Sequence, residues 1–158
     1  MKKYVENVMY ILQHKWYVFI ECWKEGLYWQ GIVHDMSKFS LAEFPAYANN
    51  FFSSLAEQAE TKGEIKKAFS YAWLHHQHHN RHHWNYWVVT QHKKEALPMP
   101  EKYILEMVCD WRAMSHKFGD TAQEFFEHHH HRMVLNPETL TRIEQILDVH
   151  VVSNKRTS

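Results

Sequence analysis

The chain has 158 residues, 45% of them hydrophobic and 15% aromatic, enough for one domain with a substantial core. Lys plus Arg equals Asp plus Glu at 18 each, which argues against a general electrostatic grip on nucleic acid or an anionic membrane. No run of about 18 apolar residues occurs, so no membrane span is expected, and the start, Met1 to Glu6, lacks the apolar core of a secretory signal.

Glycine and proline are scarce and apolar residues recur three or four apart, so the chain reads as all-α, with about six to seven helices in one compact domain over 1–152 and a frayed polar tail over 153–158. The first helix runs from about Lys3 to Lys24, with Val8, Leu12, Phe19 and Trp23 on one side and His14 within it. Gly26 and Gly31 bracket a second element, Leu27 to Met36, which carries His34 and Asp35. Ser40 to Glu43 has capping-box spacing ahead of a helix from Leu41 to about Gln58, in which Pro45 is tolerable only near the first turn.

Thr61 to Glu64 has the same spacing and predicts a helix from near Glu64 that bends or stops at Asn80-Arg81. Tyr86, Trp87 and Val88 belong to its continuation or to a short helix after it. Pro100 opens a helix through about Phe118, ended by Gly119, and this helix holds Glu106 and Asp110. Asp120 or Thr121 caps a helix through His131, and Asn136-Pro137-Glu138 starts the last, which ends near Val149. Cys22 and Cys109 each fall inside a helical pattern and read as reduced, buried thiols in a cytosolic protein.

The fifteen histidines are the compositional anomaly. Imidazole nitrogens and carboxylate oxygens are ligands that first-row metals select. His14, the adjacent His34-Asp35, a dense cluster at 75–83 and Asp110 therefore read as a metal site assembled from several helices. Neighbouring residues on a helix point about 100° apart, so His34 and Asp35 share a metal only along the seam between them, or else Asp35 bridges two. Within the cluster, His76, His79 and His83 share one helical face, and His75, His79 and His82 a competing one. A break at Asn80-Arg81 would let His82 or His83 turn inward separately. We favour His76 and His83 as ligands, with His79 or His82 beside the site. Glu106 and Asp110 share a face, and the apolar surroundings of Asp110 call for a compensating partner. The run His128 to His131 reads as a solvated helix end.

The order His14, His34-Asp35, Asp110 resembles the HD-domain superfamily of metal-dependent phosphohydrolases. The segment Gly31-Ile32-Val33-His34-Asp35-Met36-Ser37-Lys38 is similar to that superfamily's hydrophobic-His-Asp-hydrophobic-Gly-Lys signature. The intervening histidines resemble its dinuclear branch, which includes cyclic-dinucleotide phosphodiesterases and diiron oxygenases. Two features depart from the pattern: Ser37 stands where glycine is usual, and the Gly-Tyr-Pro element of the cyclic-dinucleotide enzymes is absent. The chain as a whole is also similar to a small family common in phages and bacteria, through His34 to Ser40, Asn80 to Trp84 and Glu106 to Trp111.

The resemblance implies one or two divalent transition metals (Mn, Fe, Co or Zn, with Mg less suited) held by His14, His34, Asp35, His76, His83 and Asp110. It implies hydrolysis of a nucleotide or other small phosphoester in the cytoplasm, the host's if the chain is phage-encoded. Lys38 would contact a phosphate, and Glu106 or one of His79 and His82 would carry the proton to the leaving group. A diiron oxygenase with nearly the same ligands is the alternative. A non-enzymatic, metal-stabilised helical interaction protein is the third reading. No membrane partner is expected, and a homo-oligomer is compatible with the sequence.

Overall fold

A computed structural model of the chain describes residues 1–91 and 93–151. The expected tail at 153–158 lies outside the described residues. The fold is all-α: α1 (Lys2–Lys24), α2 (Tyr28–Val33), α3 (Phe44–Phe52), α4 (Leu55–His79), α5 (Glu101–Phe118), α6 (Ala122–His129) and α7 (Pro137–Leu147). Two residue pairs, β1 (Val88–Val89) and β2 (Glu95–Ala96), form a minimal antiparallel ladder with Val88 opposite Ala96. No helix among the described residues is long and apolar enough to cross a membrane.

Helix α5 organises the molecule. One side packs Ile104, Met107, Val108 and Trp111 against Phe126 of α6 and Ile143 and Leu147 of α7. Each large side chain buried this way contributes about 1.5–3 kcal/mol. The opposite side sets Cys109 and Ala113 against Val18 and Cys22 of α1, and both cysteines are free and buried, as expected. Glu106 and Asp110, one turn apart on α5, face a third direction, where α1, α4 and the segment after α2 converge. Gly119 ends α5 in the left-handed region at φ 78°, where a Cβ would be strained.

Helix α1 buries Asn7, Ile11, His14, Val18, Glu21 and Cys22. This is not the side expected from Leu12 and Trp23, which are exposed. Helix α2 lies close against α1 because Gly31 has no side chain: a Cβ there would stand 3.1 Å from Cys22 Cβ and 3.2 Å from Phe19 Cα.

Several expected boundaries move. The second element stops at Val33, so His34 and Asp35 lie on a turn and not on a helix. Pro45 sits in the first turn of α3, which starts at Phe44 and ends at Phe52 rather than running from Leu41 to Gln58. Ser54 and Glu57 form a reciprocal capping box that starts α4 ahead of the expected site at Thr61. Thr61 is instead a kink within α4, at φ −123°, and its hydroxyl donates to the Glu57 carbonyl. Tyr86 and Trp87 belong to a 3₁₀ turn, Trp84–Trp87, but Val88 leaves it for β1. Two consecutive valines suit a pleated strand better than a helix.

Thr121, with Glu124, caps α6, and Asn136 caps α7, both as the sequence predicts. Helix α6 ends at His129, and a 3₁₀ turn, His130–Arg132, follows.

Candidate metal centre

His34 and Asp35 are the hinge of the site. Lys15, on α1, donates to the carbonyls of Ile32 and His34 and so ties down the end of α2. Asp35 then takes the left-handed conformation, φ 55° and ψ 24°, which aspartate tolerates better than most residues. The following 3₁₀ turn, Met36–Phe39, brings Lys38 back over the carboxylate. Its Nζ lies 2.6 Å from Asp35 Oδ2. On this turn the two side chains converge, with His34 Nε2 3.4 Å from Asp35 Oδ2.

The two oxygens of Asp35 face two different groups. Oδ2 lies toward His14 Nε2 at 3.8 Å and His34 Nε2 at 3.4 Å. Asp110 closes that group, with Oδ1 3.0 Å from His14 Nε2 and 3.7 Å from His34 Nε2. Oδ1 of Asp35 lies 3.3 Å from His76 Nε2 and 3.4 Å from His82 Nε2. His83 joins this second set: one ligand atom from each of Asp35, His76, His82 and His83 falls within 4.8 Å of the others, as happens separately for His14, His34 and Asp110. The arrangement is that of the bridging alternative, one carboxylate between two nitrogen-rich pockets.

Further carboxylates hold the imidazoles from behind. Glu106 Oε1 lies 3.1 Å from His34 Nδ1 and 3.3 Å from His82 Nδ1. Glu43 Oε2 accepts from His76 Nδ1 at 2.8 Å, and its Oε1 from His75 Nδ1 at 2.8 Å. A proton held on Nδ1 leaves the Nε2 lone pair free and aimed inward, the tautomer a metal ligand needs. Glu43 is fully buried. The sequence reading gave it to a helix cap, and only its spacing to the histidine cluster in the folded chain reveals this other use.

The residues fit a metal. Nε2 of His34, His82 and His83 and Oδ1 of Asp35 and Asp110 are buried without a hydrogen-bond partner among the described residues. Leaving so many converging polar atoms unsatisfied is costly unless a cation satisfies them together. Four carboxylates, those of Asp35, Asp110, Glu43 and Glu106, surround the imidazoles, and among the described residues one ammonium, that of Lys38, pairs with any of them, at Asp35; divalent cations would offset the excess of negative charge.

Burial would lift the Asp35 and Asp110 carboxyls, but the surrounding imidazoles, joined at Asp35 by Lys38, hold both well below the usual range. Burial works against a proton on His34, yet Asp35, Asp110 and Glu106 raise it to about 10. His83 is pushed well down by burial and by its neighbours His82 and His76, and so stays neutral.

Nearly all of the sequence-predicted site residues meet here: His14, His34, Asp35, Lys38, His76, His82, His83, Glu106 and Asp110. His79 does not. It is exposed, its ring stacks on His75 at 3.6 Å, and its Nδ1 donates to the His75 carbonyl. Continuation of α4 to His79 turns it away, and the break at Asn80 swings both His82 and His83 inward. His82, expected only beside the site, therefore stands level with His76. His128 to His131 lie outside the centre, and His128, His129 and His130 donate to carbonyls of their own helix end.

Residues 3–149 match a family described as a family of unknown function, DUF5662. The chain belongs to that family. No curated protein and no solved structure matches it. The DUF5662 match spans the stretch of chain that contains the centre described above, from His14 to Asp110.

Proposed function

We propose that the protein is a metal-dependent phosphohydrolase of the HD type, acting on a nucleotide or other small phosphoester. The observation that supports this most is Asp35, whose two oxygens each face a separate set of imidazoles. His14, His34 and Asp110 would hold one metal, joined by Asp35 Oδ2, which lies 3.8 and 3.4 Å from the two imidazoles; Asp35, His76, His82 and His83 would hold a second. Nitrogen-rich donors suit Mn, Fe, Co or Zn better than Mg. When bound, such ions lower the pKa of a coordinated water and offset charge on phosphoryl oxygens.

The protein's own groups would do the rest. Lys38 keeps a cation beside Asp35, where a phosphate oxygen would gain a charge-assisted contact. Glu106 is engaged by two imidazoles and so serves to orient them rather than to carry protons. A groove between α1 and α5 is lined by Tyr10, Gln13, Tyr17, His116 and Lys117 together with the candidate ligand His14. Its volume of about 160 Å³ suits one ring or one small ester group and disfavours a dinucleotide. A reducing cytosol is the proposed compartment, because both cysteines are free.

The test is elemental analysis of untagged protein purified without a nickel column, followed by phosphate release from a panel of nucleotides and p-nitrophenyl phosphoesters. One or two equivalents of transition metal, lost in the His34→Ala/Asp35→Ala double variant, and metal-dependent release are the expected results. No bound metal, with no thermal stabilisation by Mn or Fe, would overturn the reading. The three imidazoles around Asp35 Oδ1 also favour a second reading, a diiron oxygenase. Oxygen consumption by the ferrous protein, without phosphate release, would select it.

A further inference from the structure

Helix α1 is apolar on two opposite sides. One side is buried against α2, α3 and α5. The other carries Val5, Met9, Leu12, Trp16, Phe19 and Trp23, spaced alternately by four and three residues. That is the repeat by which one helix packs along another. Phe19 is half-buried under α2, and the other five are exposed. Trp29 and Ile32 of α2 extend the surface beside the C-terminal half of α1, and both are exposed. A contiguous patch of this kind on a surface helix marks an interface.

We propose that α1 pairs antiparallel with α1 of a second copy of this chain. The grading of side-chain size along the stripe selects that occupant and that direction. The N-terminal half offers the slender Val5, Met9 and Leu12, and the C-terminal half the bulky Trp16, Phe19 and Trp23. Antiparallel pairing about the level of residue 14 sets Val5 against Trp23, Met9 against Phe19 and Leu12 against Trp16. Each layer then joins one small and one large side chain, which keeps the helices evenly spaced. Parallel pairing would stack tryptophan on tryptophan at one end and valine on valine at the other, wedging the helices apart.

The large side chains are already ordered for contact. Trp16 stacks on Phe19 at 5.8 Å, Phe19 meets Trp23 at 5.5 Å, and Trp23 meets Tyr28 edge-on at 4.5 Å. Ordered rings lose little rotamer freedom on association. Trp16, Trp23 and Trp29 are 57–68% exposed, and their rings alone present on the order of 400 Å². With the aliphatic side chains, the surface reaches the roughly 800 Å² per partner of a standard stable interface. A two-fold axis closes the assembly, so the same patch serves both copies.

Gln13 and Tyr10 border the stripe and also line the groove that contains His14, so the partner's α1 would pass beside that groove. The pairing does not depend on the chemistry of the metal centre.

Sedimentation velocity of the full chain from about 1 to 100 µM tests this, with far-ultraviolet circular dichroism and metal content as controls. Wild type is expected at twice the chain mass. Leu12→Glu and Trp16→Glu are each expected to raise the dimer dissociation constant by about 100-fold or more, with the controls unchanged. Leu41→Glu, at a fully exposed site off the stripe, is expected to leave it unchanged. Under mild oxidation, Val5→Cys combined with Trp23→Cys is expected to cross-link the copies, and Val5→Cys alone is not. A monomer across the concentration range, a dimer indifferent to both glutamates, or cross-linking by Val5→Cys alone would overturn the proposal. So would a monomer that floats with phosphatidylglycerol vesicles, which would give the stripe to a lipid surface instead.

Discussion

Oε1 of Glu106 lies 3.1 Å from Nδ1 of His34, on the side of the ring away from Asp35. The carboxylate fixes which nitrogen carries the proton and where the other points. The same oxygen lies 3.3 Å from His82 Nδ1, so one side chain orients an imidazole in each half of the centre. Glu106→Ala is therefore expected to weaken metal binding by about 10–100-fold without removing a ligand. Glu106→Gln, which keeps an acceptor, should lose less. Metal titration followed by calorimetry checks both, and unchanged affinity in Glu106→Ala would count against this role.

The bridging position of Asp35 separates single-site from double-site effects. His76→Ala removes a donor only from the Oδ1 group, and Asp110→Asn acts mainly on the Oδ2 group, where Asp110 lies 3.0 Å from His14 against 4.0 Å from His82. Each variant is expected to retain about one equivalent of metal if wild type holds two. Asp35→Ala touches both groups and is expected to lose both. Elemental analysis of the three purified variants decides; equal losses in all three would argue for a single shared ion.

Glu43 is fully buried between two imidazoles. Glu43→Ala leaves the His76 Nδ1 proton with Ser37 Oγ, at 3.3 Å, as its nearest acceptor among the described residues, since the Asn80 amide nitrogen at 3.0 Å is itself a donor. Loss of the carboxylate is expected to destabilise the metal-free protein by about 1–3 kcal/mol. Denaturant unfolding in the presence of a chelator measures it, and a midpoint equal to wild type would show that His76 finds another partner.

How far the sequence discloses this centre depends on what local spacing encodes. That His14, His34, Asp35 and Asp110 would converge was readable because side-chain chemistry and order along the chain are sequence properties. The cap signals at Thr121 and Asn136 and the stop at Gly119 were readable for the same reason. The role of Glu43 was not, because a serine three residues before a glutamate looks the same whether the glutamate turns back to a cap or inward to a histidine. Choosing between His79, His82 and His83 required the direction of the chain after Asn80, which helical periodicity cannot give once the helix has ended. The exposed stripe on α1 was hidden for a related reason: a helix apolar on two sides has no single face to assign to the core.

Gly31 links packing to the centre. An added methyl group would meet Cys22 Cβ at 3.1 Å and the Phe19 backbone at 3.2 Å, and the backbone cannot swing aside. Gly31→Ala is expected to cost about 1–3 kcal/mol through overpacking. It also pushes on α2, whose C-terminal cap is His34, so metal affinity should fall together with the melting temperature. A variant that melts lower but binds metal as wild type would show that the turn at His34 is insulated from α2.

Proton and metal compete for the same atoms, which fixes the pH dependence. In the metal-free protein, burial alone would lower His34, but Asp35, Asp110 and Glu106 raise it to about 10, above the value of about 6.5 in the unfolded chain. Its contribution to stability is therefore complete below about pH 6.5, declines as pH rises and is gone above about pH 10. The carboxyls act in the opposite sense. Burial would raise Asp35, Asp110 and Glu106, but the adjacent imidazoles hold all three down. Their contribution is present above about pH 4 and is lost as pH falls through the depressed values.

The metal-free protein is thus expected to be most stable between about pH 4.5 and 6.5 and to weaken steadily toward pH 9. Metal binding must displace the His34 proton, so apparent affinity rises over that same alkaline range. The stability gained on adding Mn or Zn should widen from pH 6 to pH 8.5. Chemical denaturation at pH 5.5, 7 and 8.5, with chelator and with metal, measures both curves. Metal-free stability that climbs between pH 7 and 9 would mean that His34 is neutral in the folded protein and that its three carboxylates do not hold its proton.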